Sequence, residues 1–483
     1  MSLSITTILL VIFGYFAILI LISRITSKKA DNQDFFTAKR QSPWYLVAFG
    51  MIGATLSGVT FISVPGWVGG SQFSYLQMVL GFLVGYFVIA TVLMPMYYRL
   101  NLTSIYTYLD KRFGTYSYKT GAGFFLLSRT IGASFRLFLV GIVLQKFVMD
   151  AIGIPFWVTV LLTIFLIWVY TFRGGIKTIV YTDTLQTVCI LASVILTIFA
   201  ISKNLDLSIS GMIAEVRSSE FSKAFFFEGG WSDTQNFFKQ FISGAFMAIV
   251  MTGLDQDMMQ KNLSCRNIKD AQKNMFWFSI VLFFAKLLFL TLGALLFIFC
   301  AKNNIAIPEK TDLLFPTIAL EHLSPIVGIV FLLGLIGAAY SSADSALTSL
   351  TTSFCVDFLN FDTEAKNDRQ ATRRLVHIGF SFLLFLVILL FWKINDDEVI
   401  KAIFKVASYT YGPLLGLYAF GFYTKKQIKD KWTPIVCIAS PILCIFINKY
   451  SKTLLFGYEF GFELLLVNGL LTFLGLWAIS KHE

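Results

Sequence analysis

One stretch of this chain reads Gly337-Ala338-Ala339-Tyr340-Ser341-Ser342-Ala343-Asp344-Ser345-Ala346. On a helix, Ala338, Ser341, Ser342 and Ser345 recur at i, i+3, i+4 and i+7 and share one face. Hydroxyl and carbonyl oxygens in such a row are the ligands a hard cation takes. The same serines would equally serve close helix packing. Asp344 is harder to place as packing, because an aspartate at mid-bilayer costs roughly 2.5–3.5 kcal/mol on insertion scales. A second carboxylate, Asp183, follows Gly174-Gly175. A helix starting at that pair carries Asp183 about 12 Å along its axis. Its partner is then a cation or proton within the bilayer, or Lys177 if the carboxylate sits at the interface. Arg129 and Arg136 share a face with Gly132. They either neutralise Asp183 or Asp344 or meet an anionic substrate. Lys286 is equally deep in an apolar run and has no evident partner in the sequence.

These residues sit in a chain that cannot be a water-soluble body. Of its 483 residues, 56% are apolar, 16% aromatic and only 14% charged, against roughly 25% charged in soluble domains. Mean hydropathy is +0.73. The reading is an all-α integral membrane protein. In lipid the backbone must satisfy itself, and nothing here alternates as barrel strands would. A span needs roughly 20 apolar residues, and apolar runs fall near 4–23, 44–70, 74–98, 121–149, 156–172, 178–201, 238–256, 275–300, 325–354, 375–392, 400–423, 433–448 and 459–480. That predicts about thirteen transmembrane helices, with 4–23 an uncleaved first span.

The net charge of +11 is not a nucleic-acid signal. Lysine and arginine gather in the short connections 24–40, 99–119, 173–177, 261–273, 366–374 and 425–431, which places those loops inside. The N-terminus is then outside and the C-terminus cytoplasmic, in a multi-pass plasma-membrane protein. No connection has room for a large soluble domain, and segment 202–237 reads as a surface helix or a lid. The six cysteines form no CxxC pair and read as apolar packing residues. There is no phosphate-binding loop and no HExxH, and His322, His377 and His482 do not cluster. An ATP-driven pump and a histidine-based enzyme therefore lose support. No nucleophile–base pair suggests an enzyme, and no organic cofactor is expected.

Span 44–70 carries Gly50, Gly53, Thr55, Ser57, Gly58 and Thr60 before Pro65-Gly66. Glycines and hydroxyls at mid-bilayer weaken a helix, and an unwound turn would free carbonyls, which is tolerated only around a cavity or ion. The alternative is a tightly packed helix whose hydroxyls bond back to the preceding turn. A matching interruption is expected in span 238–256, at Gly244 and Gly253. Paired interruptions point to an inverted-repeat transporter. A single transmembrane domain over 1–483 is expected, with repeats 44–201 and 238–423 and extra helices over 433–483.

Four segments carry a resemblance: 99–113 (RLNLTSIYTYLDKRF), 174–186 (GGIKTIVYTDTLQ), 253–261 (GLDQDMMQK) and 341–345 (SSADS). In this order and spacing the chain resembles the sodium/solute symporter family, over about residues 10–425. In motif it stands nearest the bacterial sialic-acid and sugar carriers. The resemblance implies a LeuT-type fold of five-plus-five inverted repeats, with one extra N-terminal and two extra C-terminal helices. It implies a sodium site formed by carbonyls of Gly53, Leu56 and Ala338 and hydroxyls of Ser341 and Ser342. A second sodium site in some members would correspond to Asp183, Ser341, Asp344 and Ser345, with Asp344 standing where those members have serine. Thr55, Ser57 and Thr60 match a hydroxyl pattern of sialic-acid carriers. Gln77, Arg129, Arg136 and Asp255 complete the residues expected to face the solute.

The resulting expectation is sodium-coupled symport of a small organic solute, with a carboxylated sugar or small organic anion preferred, by a protein acting as a monomer among membrane lipids. Proton coupling through Asp183 or Asp344, and a membrane sensor that binds solute without moving it, are the rival readings.

Overall fold

The apolar runs become helices for the reason given above: each must close its own backbone hydrogen bonds. The computed structural model describes residues 5–28, 30–172, 175–361, 369–394, 399–455 and 457–481. Ser4, Arg173, Gly174, Lys366 and His482 lie outside them. Among the described residues, eight helices are long and apolar enough to cross a membrane. Two bent pairs add to these, Trp44–Thr55 with Gly58–Ser71 at 53°, and Phe237–Gly253 with Gln256–Leu263 at 63°. Phe156–Thr171, Leu464–Ala478 and the adjoining Val399–Thr410 and Gly412–Tyr423 are shorter. Every predicted run meets a helix.

The second break differs from its expected place. Gly244 lies inside an unbroken helix, Phe237–Ala248, and the chain bends at Leu254-Asp255, just after Gly253. Asp255 caps the next helix, accepting from Asp257 N at 2.9 Å and Met258 N at 3.4 Å. Gln256–Leu263, expected to be an inner loop, is a helix with every residue buried. Gly244 serves close packing instead. A Cβ there would fall 2.2 Å from Met78 O, at Gly81 2.0 Å from Phe241 O, and at Gly85 2.4 Å from Ala245 O. The helices Tyr75–Arg99 and Phe237–Gly253 thus meet backbone to backbone.

Segment 202–237 is a surface helix, Ile209–Ser218, followed by an extended stretch. The loop 99–113 is docked onto the second bent pair. Gln256 accepts from Ile105 N at 2.9 Å and donates to Thr103 O at 2.8 Å, while the hydroxyls of Tyr97 and Tyr106 donate to Gly253 O and Leu254 O.

Candidate functional site

The first bent pair breaks at Leu56-Ser57. Among the described residues, no backbone N–H continues the ladder onto the carbonyls of Gly53, Ala54, Thr55 or Leu56. Side chains take two of these oxygens. Ser342 Oγ donates to Ala54 O at 3.0 Å, and Thr60 Oγ1 donates to Thr55 O at 3.3 Å. The carbonyls of Gly53 and Leu56 are left without a donor, and these are two of the oxygens expected to hold sodium. Gly53 faces Ser341, since a Cβ on it would lie 3.3 Å from Ser341 Oγ and 2.2 Å from Thr187 Oγ1. Ala338, Ser341, Ser342, Asp344 and Ser345 are all fully buried on the Pro325–Phe358 helix, which is buried on every side from Gly334 to Ser353.

Ser341 Oγ, Asp183 Oδ1 and Asp344 Oδ1 are buried without a hydrogen-bond partner. Buried polar oxygens normally have one, so this donor set fits a cation. Of the two carboxylates, only Asp183 has an ion-pair partner among the described residues. Lys261 Nζ lies 2.6 Å from Asp183 Oδ2, and Tyr170 OH donates to Asp344 Oδ2 at 2.9 Å. Ser345 Oγ donates to Asp257, which pairs with Arg129. Asp183 is therefore paired from the second bent pair and not by Lys177, whose ammonium lies 3.1 Å from Asp34 Oδ1. Arg129 neutralises neither Asp183 nor Asp344.

A cavity opens beside the break, lined by Thr55, Ser57, Thr60, Arg129, Arg136 and Lys286 together with Tyr75, Phe82, Tyr86, Met251 and Phe404. Its empty space, open mouth included, is about 750 Å3. Lys286 Nζ donates to Tyr75 OH at 2.8 Å and Thr60 Oγ1 at 3.3 Å. Arg136 makes no ion pair or hydrogen bond among the described residues. Two expected solute residues stand elsewhere. Gln77 ties down the outer stretch, accepting from Phe226 N at 2.9 Å and donating to Gln235 O at 2.9 Å. Asp255 caps its helix and accepts from Tyr411 OH.

Sequence reasoning missed Asp257 and Lys261 as partners of Arg129 and Asp183. Their i, i+4 spacing would have paired them with each other, and reading the polar run as a loop hid that they are buried.

A membrane-embedded helix broken beside a buried oxygen cluster, with a cavity at the same depth, defines a secondary transporter. Comparison with known proteins makes this specific. The sequence profile of the Sodium:solute symporter family matches residues 35–430, so this chain belongs to that family, whose activity is sodium-coupled solute symport. It is 26% identical to the sodium/sialic acid symporter NanT of Aliivibrio fischeri, over 83% of this chain and 79% of that protein. It is 24% identical to the sodium/sialic acid symporter SiaT of Proteus mirabilis, over 93% and 90%. Among solved structures, it superposes on a substrate-bound, outward-open Na+-coupled sialic acid symporter with a TM-score of 0.83, at 20% identity over 99% of both chains. The nucleobase-cation-symport-1 transporter Mhp1 follows with a TM-score of 0.56, at 14% identity over 92% of this chain and 94% of that one. The fold is LeuT-type.

Proposed function

We propose that this chain imports a carboxylated sugar, or an organic anion of similar size, together with sodium. The observation that carries the substrate class is Arg136, a cavity-lining guanidinium with no carboxylate of its own beside the hydroxyls of Thr55, Ser57 and Thr60. A planar, permanently charged fork of this kind suits a carboxylate, and the hydroxyls suit a polyol. The sialic-acid specificity of the relatives named above points the same way.

On this reading sodium sits among the carbonyls of Gly53, Leu56 and Ala338 and the hydroxyls of Ser341 and Ser342, bridging the broken helix to the serine-rich one. Its binding stiffens the break that forms one wall of the cavity, so ion and solute favour each other reciprocally. Within the architecture of the repeats 44–201 and 238–423, one group of helices then rocks against the rest to open the site inward. Each sodium entering down the potential supplies about 2.3 kcal/mol per 100 mV. The second candidate set, Asp183, Ser341, Asp344 and Ser345, competes with Lys261, which already gives Asp183 a cation. The bias of lysine and arginine among the loops supports a topology with the N-terminus outside and the C-terminus in the cytoplasm. One chain encloses the whole cavity, which supports action as a monomer.

Uptake of sialic acid into proteoliposomes tests this. Accumulation in a sodium gradient and its loss in Arg136→Gln are expected. Equal uptake in sodium, potassium and choline media at fixed pH would overturn the coupling. Undiminished uptake by Arg136→Gln would overturn the assigned anion contact.

A further inference from the structure

The 99–113 motif contains cations that the transport site does not use. Arg112 is committed to the protein, donating to the carbonyls of Gly421 at 3.3 Å, Thr424 at 2.8 Å and Lys426 at 3.0 Å. This draws the end of the Gly412–Tyr423 helix against the Thr107–Arg112 helix, where Tyr108 stacks on Phe422 with ring centroids 5.4 Å apart. Between them and the end of the Tyr75–Arg99 helix runs a groove of about 1000 Å3, open side included. Arg99 and Lys111 stand on its rim, both exposed. Neither makes an ion pair or hydrogen bond among the described residues. The acids nearby face other partners. Asp110 accepts from Thr115 Oγ1 at 3.3 Å, and Asp430 from the backbone N–H groups of Tyr116 and Ser117 at 2.8 Å.

The other wall of the groove is apolar and belongs to a membrane helix. Val92, Pro95 and Met96 line it, with Val92 49% exposed on a span. Two unspent cations therefore stand at the foot of a lipid-facing wall. They lie on the face that also carries Lys425, Lys426, Lys429 and Lys431, the side that charge bias assigns to the cytoplasmic leaflet, where anionic lipids concentrate.

We infer that this groove is a binding site for one anionic phospholipid, its phosphate between Arg99 and Lys111 and an acyl chain along Val92, Pro95 and Met96. The occupant is amphiphilic because the two halves of the groove require both ends. A soluble phosphate would leave the apolar wall bare.

The test uses full-length protein in detergent, titrated with phosphatidylglycerol or phosphatidylcholine and read by native mass spectrometry and thermal unfolding. Phosphatidylglycerol should be retained preferentially, and each rim cation removed, singly in Arg99→Gln or Lys111→Gln, should weaken retention roughly fivefold. The double variant should lose the preference, while Lys203→Gln with Lys449→Gln, away from the groove, should keep it. Glycerol 3-phosphate should neither compete nor stabilise. Equal retention of both lipids, an unchanged preference in the double variant, an equal loss in the distant one, or competition by glycerol 3-phosphate would each overturn the assignment. A sodium-dependent shift in melting temperature that matches the unsubstituted protein verifies that a variant is folded.

Discussion

Lys261 and Asp183 form an ion pair 2.6 Å long, fully buried, between the second bent pair and the Ile176–Asn204 helix. The pair sits beside the orphan oxygens of Ser341 and Asp344. It gives Asp183 a fixed cation from within the protein.

Removing one partner leaves the other charge buried and alone, which typically costs about 3–5 kcal/mol. Lys261→Met should therefore lower stability by that order, and Asp183→Asn should restore most of it in the double variant. Thermal unfolding of all four proteins checks this. A sum of independent losses in the double variant would contradict the pairing.

Sodium should stabilise the protein selectively. A ligand at 100 times its dissociation constant adds about 2.7 kcal/mol. Unfolding in sodium should therefore lag unfolding in potassium at matched ionic strength, and Ser341→Ala should abolish the difference. A sodium shift that survives in Ser341→Ala would move the ion away from the broken helix.

The two arginines should separate cleanly. Arg129→Gln strands Asp257, also a partner of Ser345, and should destabilise by about 3–5 kcal/mol. Arg136→Gln breaks no ion pair and should fold with a near-native melting point while losing anion uptake. Comparable melting losses in both would show that Arg136 is structural.

Between the first span and the first bent pair, Asp31 accepts from Asp34 N at 3.0 Å, and Lys39 bridges both carboxylates at 3.1 and 3.0 Å. Burial alone would raise the Asp31 carboxyl. The Asp34 backbone N–H and the Lys39 ammonium outweigh it and hold the group below its ordinary value. A lowered folded pKa favours the charged form, so its stabilisation is complete above about pH 4 and disappears as pH falls through the folded value. Hydrogen exchange across 31–40, corrected for intrinsic rates, should stay slow at pH 7 and 5 and quicken below about pH 4. In Asp31→Ala, which removes the capping oxygen, it should be fast throughout. Unchanged protection in that variant would count against the capping role.

The helices were legible because lipid forces each apolar run to close its own hydrogen bonds. The first break was legible because Gly53, Thr55, Ser57 and Gly58 crowd one mid-bilayer turn. The second was misplaced because glycine signals both a break and a close approach, and Gly244 serves the latter. Gln256–Leu263 escaped because apolarity is the signal for burial. A polar helix buried by satisfied partners, such as Gln260 donating to Phe36 O at 2.7 Å, carries none. The residues proposed to hold sodium were named from the resemblance, with helical period bringing the serines to one face. The partners of Arg129 and Asp183 come from a distant segment, and no local spacing encodes which acid meets which base.

The glycine seam between Tyr75–Arg99 and Phe237–Gly253 has a kinematic meaning. At Gly81, Gly85 and Gly244 the peptide groups of the two helices come into direct contact, so sliding one helix along the other meets a steric barrier. The two are expected to travel together, although they come from opposite halves of the sequence. The units that move in the proposed cycle then need not coincide with those halves.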